Sequence, residues 1–304
     1  LECELLNILR WPICLLFVLN AVVDVEANDA AAARRQALTH SYGTYGADLR
    51  TPDGHIDHER LLADLSELRA NTYNWLIGRA ATDWSDLHTF LPLAQKHGIR
   101  VWVTLLPPSE SPPKTKHYCE PFRLDYERWA AELAALSARE PALVAWSIDD
   151  FAYNLKKTFT PDRMRAIIAA QREKNPKFAF VPCVYYKHAT PAFVKGYREF
   201  LDGILFPYRS ESTTAGLVDA TQVVPEMNTL KDRFGRDFPI IVDIYATRHS
   251  TLGASTPDYV EQVMKLAYPV ADGVHIYTHQ DKRNPKAREK YEIIQRVMSS
   301  WGER

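Results

Sequence analysis

From Leu38 onward the chain alternates between short apolar runs and longer amphipathic stretches. The runs are LTHSYGTYG (38–46), TYNWLIGR (72–79), IRVWVTLLPP (99–108), LVAWSIDDF (143–151), FAFVPCVYY (178–186), DGILFPYR (202–209), FPIIVDIYATR (238–248) and DGVHIYTHQ (272–280). Near-continuous apolar runs of this length suit strands buried on both faces. The stretches between them, such as DHERLLADLSELRA and TPDRMRAIIAAQREKN, carry a helical period. Thr160-Pro161 and Thr256-Pro257 read as N-cap and first-turn pairs, and Lys96-His97-Gly98 as a helix stop.

Eight such units in roughly 265 residues predict a single (β/α)8 TIM barrel, an α/β fold spanning 38–304. A doubly wound open sheet is disfavoured by the count of eight and by the lack of a GxGxxG turn after the first run. Residues 28–37 are expected as a short linker. Ahead of it, the apolar run Trp11–Val23 follows Arg10, and small residues close the segment at Ala27. This resembles a signal peptide, so 1–27 is expected to be a leader and the protein secreted or periplasmic; an uncleaved membrane anchor is the rival reading.

Composition narrows the function classes. A net charge of −1 over 304 residues gives no reason to expect nucleic acid or an anionic membrane as partner. Beyond the leader only Cys119 and Cys183 remain, without CxxC spacing, so neither a zinc site nor a disulfide framework is indicated. One bridge between them or two separate thiols are both compatible with the spacing. No cofactor is expected.

In barrels of this type the chemistry gathers at the carboxyl ends of the strands. Here those ends are polar. The expected catalytic carboxylates are Asp149, Asp150 and Asp243. The expected substrate-binding residues are His40, Tyr42, Asn74, Arg79, Tyr186, Tyr208, Arg209, Glu211, Tyr245, Arg248 and Tyr277. Tyr45, Tyr153, Asn154, Tyr185, Lys187, His188, His275, His279 and Asp281 fall at the same ends. Any one of them has a bland alternative: an Asp caps the next helix, a Tyr packs, an Arg neutralises an acid. A convergent ring is harder to explain that way. Carboxylates with aromatic platforms, Trp75, Trp102 and Trp146 or the tyrosines, suit a carbohydrate. Adjacent acids split their pKa values, one keeping its proton while its neighbour is ionised, as glycosidic cleavage requires.

The adjacent acids of Ser147-Ile148-Asp149-Asp150-Phe151 resemble those of barrel hexosaminidases that act through the substrate's own acetamido group, glycoside hydrolase family 84. The resemblance implies that Asp149 orients the N-acetyl group, that Asp150 is the general acid/base and that Tyr186, in VPCVYYKH, holds the acetamido group. A second reading uses separated carboxylates, with Asp150 as acid and Asp243 or Glu211 as base or nucleophile. A third is metal-assisted hydrolysis through His40, His188, His249, His275 and His279, although the first strand lacks an HxH. A non-catalytic carbohydrate-binding barrel is the fourth.

Overall fold

The computed structural model describes residues 28–46, 49–278 and 282–301. The expected leader, His279 and Asp281 lie outside the described residues.

Eight parallel strands form one sheet: β1 (Ser41–Tyr45), β2 (Thr72–Ile77), β3 (Arg100–Leu105), β4 (Leu143–Ile148), β5 (Ala179–Phe180), β6 (Ile204–Tyr208), β7 (Ile240–Tyr245) and β8 (Gly273–Tyr277). Their order, β5-β4-β3-β2-β1-β8-β7-β6, is that of a ring. A parallel bridge between Cys183 and Leu205 closes it, with Val184 N donating to Leu205 O at 2.9 Å and Leu205 N to Pro182 O at 3.0 Å. β5 is short because Pro182, within its apolar run, has no N–H to give to a ladder. The fold is a single (β/α)8 TIM barrel.

Nine helices cover the ring among the described residues: α1 (28–38), α2 (His58–Glu67), α3 (Asp83–Lys96), α4 (Tyr126–Ser137), α5 (Pro161–Lys174), α6 (Pro191–Tyr197), α7 (Val223–Phe234), α8 (Pro257–Ala267) and α9 (Pro285–Ser300). The cap signals act as read. Thr160 and Thr256 accept from Arg163 N and Tyr259 N, each followed by proline at the first helical position. α3 stops before His97, and Gly98 turns away at φ 69°. The segment expected as a linker is instead helical. Arg34 of α1 pairs with Asp202 at 2.7 Å, and Ala30 and Leu38 are buried, so tertiary contacts hold it.

The tryptophans considered as sugar platforms belong to the core. Trp75, Trp102 and Trp146 are fully buried, Trp75 against Phe90 and Trp102 against His275, while Trp146 donates to Gln171 Oε1 at 2.6 Å. Their packing role is the ordinary one for large aromatics. Cys119 and Cys183 are separate buried thiols.

Candidate active site

A cavity of about 820 Å³ opens at the carboxyl ends of the strands. Register decides which side chains reach it. Tyr45, Tyr277 and Tyr245 are level neighbours on β1, β8 and β7, with ring centroids 5.0 and 5.3 Å apart. All three line the cavity, as does Asp243, one inward position deeper on β7. Because strand side chains alternate, residues at odd offsets from these point outward.

Several expected site residues do not line the cavity, Tyr42 and Tyr208 because of that alternation. Tyr42 packs outward on Tyr268 and Trp301. Tyr208 is also outward and fully buried, stacked on Tyr259, with its hydroxyl donating to Asp219 O at 2.7 Å. His40 sits before β1, at the amino end of the barrel, where its carbonyl accepts from Asn71 Nδ2 at 2.9 Å. Asn74 is inward but buried in the interior, accepting from Thr104 Oγ1 at 2.6 Å. Arg79 lies beyond the turn at Gly78 and does not line the cavity; its amide donates to Asp83 Oδ2 at 2.8 Å. Tyr186 sits under the Arg233 guanidinium at 5.4 Å, outside the cavity lining.

The structure gathers Asp149, Asp150, Asp243, Arg209, Glu211, Tyr245, Arg248 and Tyr277 around one cavity. Asp149 follows β4 directly, its amide donating to Leu105 O at 2.9 Å. Asp150 takes the left-handed conformation at φ 43°, ψ 32°, which Asp tolerates better than most residues. Tyr153 N at 3.1 Å and Asn154 Nδ2 at 3.0 Å both donate to its carbonyl and hold the turn. The turn swings the two carboxyls together. Asp150 N donates to Asp149 Oδ1 at 3.0 Å, and the Tyr185 hydroxyl donates to Asp150 Oδ1 at 2.7 Å.

The environments of the acids differ. Asp149 opens to the cavity on one side and is walled by protein on the others. Burial first, then the charge of Asp150, push its carboxyl up to about 7. The Tyr45 hydroxyl faces it and partly offsets this, without meeting the geometry of a full hydrogen bond. Asp243, 2% exposed, is raised well above the usual carboxylate range by burial and by Asp149, and its Oδ1 has no partner among the described residues. Of the two adjacent acids, Asp149 is the one whose carboxyl burial and the neighbouring charge raise. Glu211, weighed as a base, is engaged elsewhere: it pairs with Arg209 and accepts from Lys187 N at 3.0 Å.

Several lining residues went unselected in the sequence. Tyr153, half exposed at the rim, offers the aromatic face that the tryptophans do not. Tyr45, Tyr185, Lys187 and His249 were visible near strand ends. Glu110 and Lys114 come from the loop after β3, ion-paired to each other four residues apart, and no strand-end signal marks them. Among the described residues the histidines weighed for a metal do not come together: His40 is at the far end, and His275 is enclosed in the interior. The one group of donors close enough to share an ion, among the described residues, is Asp149, Asp150 and Cys183, with ligand atoms within 4.8 Å of one another. Two hard carboxylates with a thiol that burial and both acids hold protonated make a mixed donor set, matching no common metal preference.

No protein-family model matches the chain, and no curated protein matches it. Solved structures do. A β-D-glucuronidase of Dictyoglomus thermophilum superposes with TM-score 0.60 at 15% identity, over 87% of this chain and 51% of that one. The present chain thus spans about half the length of that enzyme. GH5_18 from Streptomyces cattleya, in complex with GlcNAc, gives TM-score 0.60 at 12% identity over 87% and 82% of the two chains. A broad-specificity GH5-4 endoglucanase from an uncultured bovine rumen ciliate gives 0.58 at 9% identity over 89% and 98%. The chain thus shares its TIM-barrel fold with glycoside hydrolases.

Proposed function

We propose that the protein is a glycoside hydrolase in which Asp149 is the proton donor. The observation that supports this most directly is the convergence of Asp149, Asp150 and Asp243 on one cavity, with Asp149 held near pH 7. A general acid works best when its pKa lies near the operating pH, and glycosidic cleavage needs a protonated carboxyl beside the leaving oxygen. Asp150 keeps that proton in place through its charge and is itself fixed by Tyr185. Glu211 is committed to Arg209, and Asp243, raised well above the carboxylate range by burial and by Asp149, is a second proton-holding carboxyl on the cavity. Tyr153 provides a stacking surface at the rim. The neighbours named above include a glucuronidase, an endoglucanase and a GlcNAc-bound enzyme, which supports a carbohydrate substrate.

The finer assignment to acetamido-assisted hexosaminidases now rests on the acid pair alone, because Tyr186 lies away from the cavity. The test is release of nitrophenol from a panel of aryl glycosides by the wild type, Asp149→Asn and Asp150→Asn. Loss of a general acid costs about 10²–10⁴ in rate. Asp149→Asn should show this on poor leaving groups and be milder on good ones. Absence of turnover on the whole panel, with sugar binding retained, would leave a carbohydrate-binding barrel.

A further inference from the structure

One wall of the cavity is cationic, and the acid chemistry makes no use of it. Arg209 extends from the end of β6, Lys187 from the turn after β5, and Arg248 and His249 from the two-residue ribbon after β7. Arg209 is 9% exposed. Its guanidinium lies 4.0 Å from the centre of the Tyr185 ring, and one arm binds Glu211. Its Nε has no partner among the described residues. Glu211 is the single carboxylate on this wall and is shared, with Lys187 Nζ at 3.8 Å. Arg248 lines the cavity without an ion pair among the described residues.

His249 sharpens the picture. Its Nδ1 accepts from the backbone amides of Thr251 at 3.1 Å and Leu252 at 3.2 Å. The neutral ring must therefore carry its proton on Nε2. That N–H lies 3.4 Å from Nη1 of Arg209, which is also a donor. Two donors cannot satisfy each other; a shared acceptor satisfies both. Two such donors beside Lys187 and Arg248, with Glu211 the carboxylate among them and Glu110, Asp149, Asp150 and Asp243 elsewhere on the lining, favour an acceptor bearing negative charge at this wall.

We propose that this wall is a subsite for an anionic group of the sugar, a carboxylate or a sulfate ester, held between Arg209 and His249 with Arg248 closing over it. The inference rests on the glycosidase reading for its substrate, but its chemistry is one of binding. The proton held by Asp149 also lowers the negative charge that such a ligand meets.

The test is calorimetric titration of the full chain with glucuronate, galacturonate and mannuronate, each against its neutral hexose, and with the hexose 6-sulfates. A charge-assisted hydrogen bond corresponds to about tenfold or more in affinity. At least one acidic or sulfated sugar should exceed its neutral parent by that factor. The advantage should shrink as ionic strength rises from about 0.01 to 0.1 M and in Arg248→Gln and His249→Phe. Preference for the uronate assigns a carboxylate, and preference for the 6-sulfate assigns the ester. Equal binding of charged and neutral sugars, or binding of neither, overturns the proposal. Anion-selective binding without hydrolysis of any glycoside keeps it and removes the acid chemistry; hydrolysis of neutral glycosides without anion preference does the reverse.

Discussion

The backbone amide of Asp150 donates to the Asp149 carboxyl at 3.0 Å, so two side chains whose charges oppose each other are also tied through the chain that joins them. The left-handed turn at Asp150 makes that contact and directs its own carboxylate to Tyr185. One carboxyl is enclosed; the other is hydrogen-bonded. Burial and the neighbouring charge raise the Asp149 carboxyl to about 7.

This arrangement fixes a pH signature. Activity should fall on the alkaline side as the Asp149 proton is lost near pH 7. Stability should move in the same direction. Between about pH 4, where an unfolded Asp ionises, and about 7, the folded chain keeps a proton that the unfolded chain has released. The contribution is therefore full below about pH 4 and is lost as pH rises through 7. Asp149→Asn should flatten the slope. Thermal melts of both proteins from pH 4 to 8 would show it, each kcal/mol reading as roughly 2–4 °C in a chain of this size. Parallel Tm curves for the two would contradict the assignment.

Tyr185 and Tyr208 should separate catalytic from structural tyrosines. Tyr185→Phe removes a hydrogen bond to the Asp150 carboxylate, and hydrogen bonds to charged groups are worth about 1.5–3 kcal/mol. A fall in kcat/KM of about tenfold or more is expected, together with a lower Tm, because the bond is present in the resting fold. Tyr208→Phe loses its bond to the Asp219 carbonyl, so it should cost about 1 kcal/mol of stability and leave kcat/KM unchanged. Steady-state kinetics beside denaturant melts would distinguish them.

His275 should act on stability with the opposite sign to Asp149. It is fully buried on β8, level with Asp243 on β7, and burial lowers its pKa to about 3, aided by Arg100. Between about pH 6.5 and about 3 the unfolded chain binds a proton that the folded ring refuses. This contribution is present above pH 6.5 and lost on acidification. His275→Phe keeps a ring against Trp102, 4.5 Å away, and removes two nitrogens that lack partners among the described residues. It should raise stability at pH 5 by about 1 kcal/mol and reduce the acid loss. A lower midpoint than wild type in urea at pH 5 would show that the nitrogens are satisfied.

The barrel was legible because a strand covered on both faces writes itself as a continuous apolar run, and each of the eight runs contains one strand. The same continuity hid which residues face inward. When both faces are apolar, the period of two is silent, and Tyr42 looks like Tyr45 although they point opposite ways. Tyr208 and Arg209 are neighbours subject to the same ambiguity: Tyr208 packs outward on Tyr259, and Arg209 lines the cavity. His40 was misplaced because its apolar run begins before the ladder does. The acid pair was legible, since adjacent acids at a strand end have few structural uses. The different surroundings of its two members were not, because they depend on the turn at Asp150 and on Tyr185, which is 35 residues away. Glu110 and Lys114 were illegible for a related reason: only the path of the loop after β3 brings them to the cavity.

The bridge between Cys183 and Leu205 has a mechanical consequence. It is the lightest stitch in the ring, interrupted on one side by Pro182. The acid pair stands at the end of β4 and Arg209 at the end of β6, so the seam runs between them. A slight parting of β5 from β6 would widen the gap between Asp149 and Arg209 while the pairing within each half stays whole. The span of the cavity between Asp149 and Arg209 is set along that one seam.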